Sequence, residues 1–177
     1  MSNERRMVLV AAGLALLMGL EVYASAADRG PTPAPWEPFI ERMNLALASG
    51  KVSEAERALH DANAAALGSG TWEGMVTVAE AYRRVADATG FAGPARGKAR
   101  EAYLTSFFRA RTQNSIEGVL RATEGFVALG DRQVAAQCLK TAEQLAARAD
   151  QRSRDRVTAL TEVISGRVAG VESSASN

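Results

Sequence analysis

Apolar residues recur at helical spacing from Phe39 to Ile164, and this periodicity constrains the fold more than any other feature of the sequence. Proline interrupts helix interiors, and beyond Phe39 the chain contains only Pro94, at a position where a helix can begin. No segment alternates polar and apolar residues for long enough to predict a strand. Alanine supplies 35 of the 177 residues and aromatic residues only 6%, which favours closely packed helices over sheets. The sequence therefore predicts an all-α fold.

Seven helices are predicted, and the short links between them should make neighbouring helices run antiparallel as hairpins. In the first helix, Phe39, Met43 and Ala46 form the expected apolar face. Several later helices carry a start signal, which is a capping residue, a capping box or a first-turn proline. These signals are Ser53 with Glu56, Pro94, Asn114 with Glu117, and Asp131.

Gly50, Gly90 and Gly130 are spaced by forty residues, and each is placed to end the first helix of a hairpin. The segments around the first and third glycines are alike, ASGKVSEAERAL at 48–59 and ALGDRQVAAQCL at 128–139. This pattern resembles the tetratricopeptide repeat family. The family places a small residue five positions after the glycine, a large one nine after and a small one twelve after. The matching residues are Ala55, Leu59 and Ala62 in the first unit, and Ala135, Leu139 and Ala142 in the third, with Phe39 and Phe126 at the large first-helix positions.

The middle unit fits the repeat only if its turn is about four residues longer, because Tyr103 then takes the large position. The segment from Gly90 to Gly93 supplies that length, and Ala95, Ala99 and Ser106 are the small residues. The resemblance covers residues 36–149. It implies a right-handed superhelical stack of about three antiparallel hairpins, with the seventh helix as a C-terminal cap.

The N-terminal residues 1–27 have the pattern of a secretory signal peptide. Arg5 and Arg6 precede an uncharged run from Met7 to Leu20, and small residues follow at 24–26. The run is shorter than the roughly 20 residues of a membrane span. Residues 7–27 cross a bilayer only if Glu21 reaches the outer interface, so an uncleaved anchor helix is the alternative. Either interpretation predicts a bacterial protein that is periplasmic, secreted or anchored in the inner membrane with its body outside the cytoplasm.

Residues 28–38 contain four of the five prolines and are predicted to be a spacer. Residues 39–170 form the predicted helical domain, and residues 171–177 a disordered polar tail.

The composition excludes several classes of function. A formal net charge of +1 gives no electrostatic reason to bind nucleic acid or an anionic membrane surface. The single cysteine, Cys138, and the single histidine, His60, exclude disulfide frameworks and metal sites built from several such residues. Because nothing pairs a nucleophile with a base, the sequence predicts no enzyme activity, no cofactor and no metal. Cys138 is expected to be a small buried core residue, with a thiol sensor or an intermolecular disulfide as the alternatives.

The resemblance implies that the first helix of each hairpin lines a concave groove that binds a partner. The groove residues would mix apolar side chains with both signs of charge. Ile40 stands where the carboxylate-binding members of the family need a lysine, so that ligand class is not expected. The candidate groove residues are Ile40, Glu41, Asn44, Leu47, Glu80, Arg84, Asp87, Leu120, Arg121, Glu124 and Val127.

These features together predict a non-enzymatic interaction or scaffold module that holds a protein partner in the groove. A membrane-anchored accessory subunit of a larger envelope complex, respiratory or photosynthetic, is the alternative, with residues 7–27 as its only membrane contact. A third alternative is a helical bundle that binds a small ligand or acts as an enzyme. That bundle requires an enclosed apolar cavity, for which the many alanines and few aromatic residues leave little volume.

Overall fold

Seven helices and no strand make up the part of the chain that the computed structural model describes, residues 32–90 and 92–175, with side chains described for 32–90 and 93–164. The predicted signal or anchor helix at 1–27 lies outside these residues. The all-α prediction is confirmed. The helices are α1 (Glu37–Ala48), α2 (Val52–Ser69), α3 (Trp72–Thr89), α4 (Ala92–Thr112), α5 (Ile116–Leu129), α6 (Arg132–Ala146) and α7 (Gln151–Ala175).

Each helix packs against the next, so α1 with α2, α3 with α4 and α5 with α6 form three consecutive hairpins, followed by α7. A second set of contacts joins the first helices of successive hairpins, α1 to α3 and α3 to α5. Helix α7 continues this row, because it packs against both α6 and α5. The described body is therefore a row of helical hairpins, which is compatible with a helical solenoid.

The folded body extends beyond both boundaries that the sequence suggests. The compact unit begins at Ala34, and Trp36, inside the predicted spacer, is 8% exposed. Its ring packs against the backbone of Gly74 in α3, which ties the start of α1 to the next hairpin. At the other end, α7 extends to Ala175, into the segment 171–177 for which a disordered tail is predicted.

Left-handed glycines end the first helices as predicted. Gly50, Gly90 and Gly130 have φ values of 68°, 69° and 79°, a region that a glycine enters without steric cost. Gly70, with φ 71°, ends the second helix α2 in the same way. This fourth glycine terminus is not part of the predicted forty-residue spacing.

The two predicted capping boxes are wrong, because each helix begins at a different residue. The carbonyl of Lys51 already accepts from the N–H of Ala55, so α2 starts at Val52 and Ser53 lies inside the helix, where Glu56 has no capping role. No side chain caps the N-terminus of this helix.

Ser115 caps α5 in place of Asn114. Its hydroxyl accepts a hydrogen bond from the N–H of Gly118 at 3.0 Å. Asn114 has φ 54°, the left-handed conformation that follows the end of α4, so it cannot form the predicted box with Glu117. The Asp131 cap of α6 is confirmed, with its carboxylate accepting from the N–H of Val134 at 3.4 Å.

The small–large–small pattern of the repeat is buried in all three second helices. In the middle hairpin, the pattern falls on Ala99, Tyr103 and Ser106, which are at most 1% exposed. Tyr103 therefore takes the large position, as predicted. The predicted longer turn is wrong, because α4 already begins at Ala92 and Gly93 is helical, so the displacement of Tyr103 lies within the helix. The Ser106 hydroxyl donates to the carbonyl of Trp72 at 3.1 Å, which satisfies the polar group in the core. The other members are Ala55, Leu59, Ala62, Ala135, Leu139 and Ala142, at 0–8% exposure.

Three aromatic rings lie directly against glycines on the first helix of the following hairpin. Trp36 packs on Gly74, Trp72 on Gly118 and Tyr103 on Gly125. A Cβ atom added at Gly118 would stand 2.6 Å from both the Trp72 ring and the Cβ of Ala110. These glycines therefore allow the helices to approach more closely than any side chain would.

Arg109 of α4 binds the C-terminal end of α2. Its guanidinium donates hydrogen bonds to the carbonyls of Ala66, Leu67 and Thr71 at 2.9–3.0 Å. The last carbonyls of a helix lack partners within it and carry the negative end of the helix dipole. One side chain of the second hairpin thus caps a helix of the first.

Replacing this arginine should destabilise the protein. We expect Arg109→Ala to lower the free energy of unfolding by ~2 kcal/mol, because the carbonyls of Ala66, Leu67 and Thr71 lose hydrogen bonds from a charged donor. The matched control is Arg111→Ala in the same last turn of α4, where the side chain is exposed and lies over Phe108. Urea unfolding followed by circular dichroism measures both variants. Equal losses would show that the α2 contacts contribute nothing beyond the charge at this helix end.

Replacing glycine by alanine should have opposite effects on stability at two positions. Gly118→Ala should lower the free energy of unfolding by ~1–3 kcal/mol, since the added methyl overpacks the contact with Trp72. Gly97→Ala on α4 should raise it by ~0.5–1 kcal/mol, because a Cβ there meets only open space and alanine favours the helix. Thermal and urea unfolding give the sign of each change. A stabilised Gly118→Ala variant would contradict the close ring contact.

Candidate interaction surfaces

The exposed sides of α1, α3 and α5 form one surface, which we call the first-helix face. The structure places nine of the eleven candidate groove residues at least partly on the surface. Ile40 and Leu120 are corrections: they are 9% and 4% exposed and belong to the core. The nine accessible residues are Glu41, Asn44, Leu47, Glu80, Arg84, Asp87, Arg121, Glu124 and Val127.

Three of these residues form an ion-pair network that joins α3 to α5. The Arg121 guanidinium lies 2.6 Å from the Glu80 carboxylate and 4.0 Å from that of Glu124. The hydrogen bond with Glu80 raises the pKa of Arg121 above its usual value. Farther along the row, Arg156 of α7 pairs with Glu117 of α5. Because these pairs are exposed, they contribute little to the stability of the fold.

Four other candidates on this face have no internal partner. Glu41 and Asn44 on α1, and Arg84 and Asp87 on α3, are exposed and make no hydrogen bond or ion pair with other residues in the described part of the chain. A ligand can therefore bind these side chains without breaking an existing interaction. Leu47 and Val127 add partly exposed apolar area to the same face.

The opposite side of the row contains a surface that the sequence analysis missed. Two adjoining depressions of about 240 and 210 Å³ lie between α2 and α4, and both are lined by His60, Tyr82 and Lys98. We call them together the α2–α4 cleft. The floor is formed by α3, because the second helices α2 and α4 pack on α3 more than on each other. The rest of the lining comprises Glu56, Leu59, Asn63, Leu67, Met75, Val85, Pro94, Ala95, Glu101, Ala102 and Thr105.

Cationic and aromatic groups meet at the centre of this cleft. The Lys98 ammonium lies 5.7 Å from the centroid of the Tyr82 ring, within the range of a cation–π contact. Burial, and then the negative charge of Glu101, raise the pKa of the Tyr82 phenol, so it stays protonated at neutral pH. These groups suit non-covalent recognition of a mixed polar and apolar segment.

Cys138 is buried in α6, as expected for a small core residue, and is 1% exposed. Burial, and to a lesser extent the charge of Asp131, raise the pKa of its thiol from 9.0 to about 12. The nucleophilic thiolate is therefore scarce at neutral pH in the folded protein.

Within the described part of the chain, no three His, Cys, Asp or Glu side chains cluster closely enough to hold a metal ion. None of the helices described here combines the length and apolar character that crossing a bilayer requires. No protein family model, no curated protein and no solved structure matches the chain significantly. The functional proposals therefore depend on the sequence and the geometry of this chain alone.

The buried thiol predicts a specific dependence of stability on pH. Unfolding returns Cys138 to its ordinary pKa, so between pH 9 and about 12 the unfolded chain binds fewer protons than the folded one. The free energy of unfolding should then fall with rising pH, by up to ~1.4 kcal/mol per pH unit from this group. Urea unfolding at pH 7.5 and pH 10 should show a larger loss in the wild type than in Cys138→Ala. Equal losses would contradict the raised pKa.

Proposed function

We propose that the described body is a tetratricopeptide-like stack that acts as a non-enzymatic interaction module and holds a protein partner on the first-helix face. The observation that carries this proposal is the succession of contacts from α1 to α3 and from α3 to α5. In a row of hairpins, such contacts make the first helices one continuous surface. A continuous surface of three helices suits a partner helix or extended segment.

The chemistry of the face supports the same proposal. Asn44, Arg84 and Asp87 offer exposed hydrogen-bonding groups of both charges that have no partner in the described part of the chain. Leu47 on α1 and Val127 on α5 are half-buried and offer apolar area. Protein interfaces combine such polar and apolar groups, with neither kind excluded.

The ion pairs between the helices favour a preorganised binding surface. The Glu80–Arg121 pair joins α3 to α5, and the Glu117–Arg156 pair joins α5 to α7. A surface that is already ordered loses less conformational entropy when a partner binds. We therefore propose that the stack presents its partner site as a rigid scaffold.

The proposed place of action is outside the cytoplasm. This part of the proposal rests on the sequence of residues 1–27, and it makes the partner an exported or membrane protein.

Site-specific crosslinking tests the proposed surface. A photoreactive amino acid placed at Asn44 or Asp87 in the full chain, in its native host, should crosslink to the same protein partner from both positions. The control position is Lys140, which is exposed on the second helix α6 and lies outside the first-helix face. Mass spectrometry identifies the crosslinked protein. Crosslinks from Lys140 alone, or none from either test position, would contradict the proposal.

A further inference from the structure

Asn114 is the one asparagine in the described part of the chain that lies outside a helix. It is exposed in the link between α4 and α5, residues 113–115, which we call the α4–α5 turn. The other two described asparagines, Asn44 and Asn63, lie inside α1 and α2. The Asn114 side-chain amide makes no hydrogen bond with the described residues. Its carbonyl carbon is therefore accessible to a nucleophile.

The residue that follows Asn114 supplies such a nucleophile. The main-chain nitrogen after an asparagine can attack the side-chain carbonyl carbon, which closes a cyclic imide called a succinimide. The small side chain of Ser115 obstructs this attack less than the branched side chain of Leu45 obstructs it after Asn44. Inside a helix, the regular backbone holds the nitrogen away from the amide, so Asn63 must unwind α2 before it reacts.

Two main-chain hydrogen bonds hold the α4–α5 turn in a conformation that prevents the attack. The Ser115 N–H donates to the carbonyl of Ala110 at 2.8 Å, and the Asn114 N–H donates to that of Arg111 at 3.2 Å. These bonds end α4 around the left-handed Asn114, with φ 54°. The attacking nitrogen must lose its bond to Ala110, and the backbone beside it must rotate, before the ring can close. The reaction therefore requires the turn to open.

A side-chain contact controls how readily this turn opens. The Gln113 side-chain amide donates to the carbonyl of Gly70 at 3.2 Å, which ties the turn to the end of α2. Residues 111–114 are exposed. Exposed turns with few buried contacts open without unfolding of the whole protein. The frequency of opening should therefore depend on the bond from Gln113.

We propose that Asn114 is a site of spontaneous deamidation whose rate is set by opening of the α4–α5 turn. In the open turn, the Ser115 nitrogen bonds to the side-chain carbonyl carbon of Asn114. The proton of that nitrogen leaves with the amide group, which departs as ammonia. Water then adds to one of the two succinimide carbonyls and breaks its bond to nitrogen, which gives aspartate or isoaspartate. Water is the only co-reactant.

The isoaspartate product does not fit the folded turn. It inserts an additional carbon into the main chain before Ser115, so the hydrogen bonds to Ala110 and Arg111 cannot both form again. The same displacement moves the Ser115 hydroxyl, which caps α5 by accepting from the N–H of Gly118. Loss of a cap destabilises the helix that it begins. Each modified molecule therefore keeps a permanent chemical record that its turn has opened.

Peptide mapping by mass spectrometry tests this inference on the full chain. Replacement of NH2 by OH raises the mass of the peptide that contains Asn114, and enzymatic methylation identifies isoaspartate. The protein is incubated at neutral pH, in buffer and in concentrated urea. We expect Asn114 to react at least about tenfold more slowly in buffer, because the hydrogen bonds of the turn must break first.

A variant of the turn separates local opening from intrinsic reactivity. In Gln113→Ala, the rate at Asn114 in buffer should rise roughly twofold to tenfold, the effect of losing one hydrogen bond on an opening equilibrium. Its rate in urea should stay that of the wild type. The matched control is Thr112→Ala, because the Thr112 hydroxyl bonds only within α4, to the carbonyl of Phe108. This control should change the rate in buffer less than about twofold.

Four outcomes overturn the inference. The first is an Asn114 that does not deamidate in urea, since the site itself is then unreactive. The second is an equal rate in buffer and in urea, since the folded turn then controls nothing. The third is equal acceleration by Thr112→Ala and Gln113→Ala, or by neither, which excludes control through the Gly70 contact. The fourth is faster modification of Asn44 or Asn63 in buffer.

Discussion

Close approach between helices at glycine and alanine is the constraint on which the rest of this structure depends. Where Trp36 and Trp72 lie across the backbones of Gly74 and Gly118, each hairpin is fixed against the next at a single register. Alanines such as Ala55 and Ala135 are fully buried, and their small side chains also permit close packing between helices. Because large side chains are few, the positions of glycine and alanine determine most of the packing specificity.

This packing decides which surfaces remain accessible. Ile40 and Leu120 lie on first helices but are buried in the hydrophobic core, so they are not accessible to a partner. Second helices pack less on one another, so α3 is left as the floor of the cleft beside Tyr82. The exposed surfaces of the row therefore differ: one contains the ion pairs between α3, α5 and α7, and another contains the α2–α4 cleft.

The sequence predicted features that depend on local geometry or on one repeated pattern. The glycine ends at Gly50, Gly90 and Gly130 followed from their spacing, and the displaced position of Tyr103 followed from the longer segment after Gly90. The two predicted capping boxes are wrong because the position at which each helix begins depends on backbone angles that Ser53 and Asn114 do not reveal. The α2–α4 cleft was missed because it arises from distances between helices about forty residues apart in the chain, which periodicity along one helix does not encode.

The hydrogen bonds from Arg109 to the end of α2 affect whether a single hairpin can be added to the row or removed from it. A hairpin can be duplicated or lost cleanly when its contacts end at its own borders and at the adjoining face. Here the second hairpin supplies the cap of a helix that belongs to the first. Deleting the first hairpin would leave the Arg109 guanidinium without these acceptors, and deleting the second would expose the carbonyls of Ala66 and Leu67. The first two hairpins therefore form one structural unit.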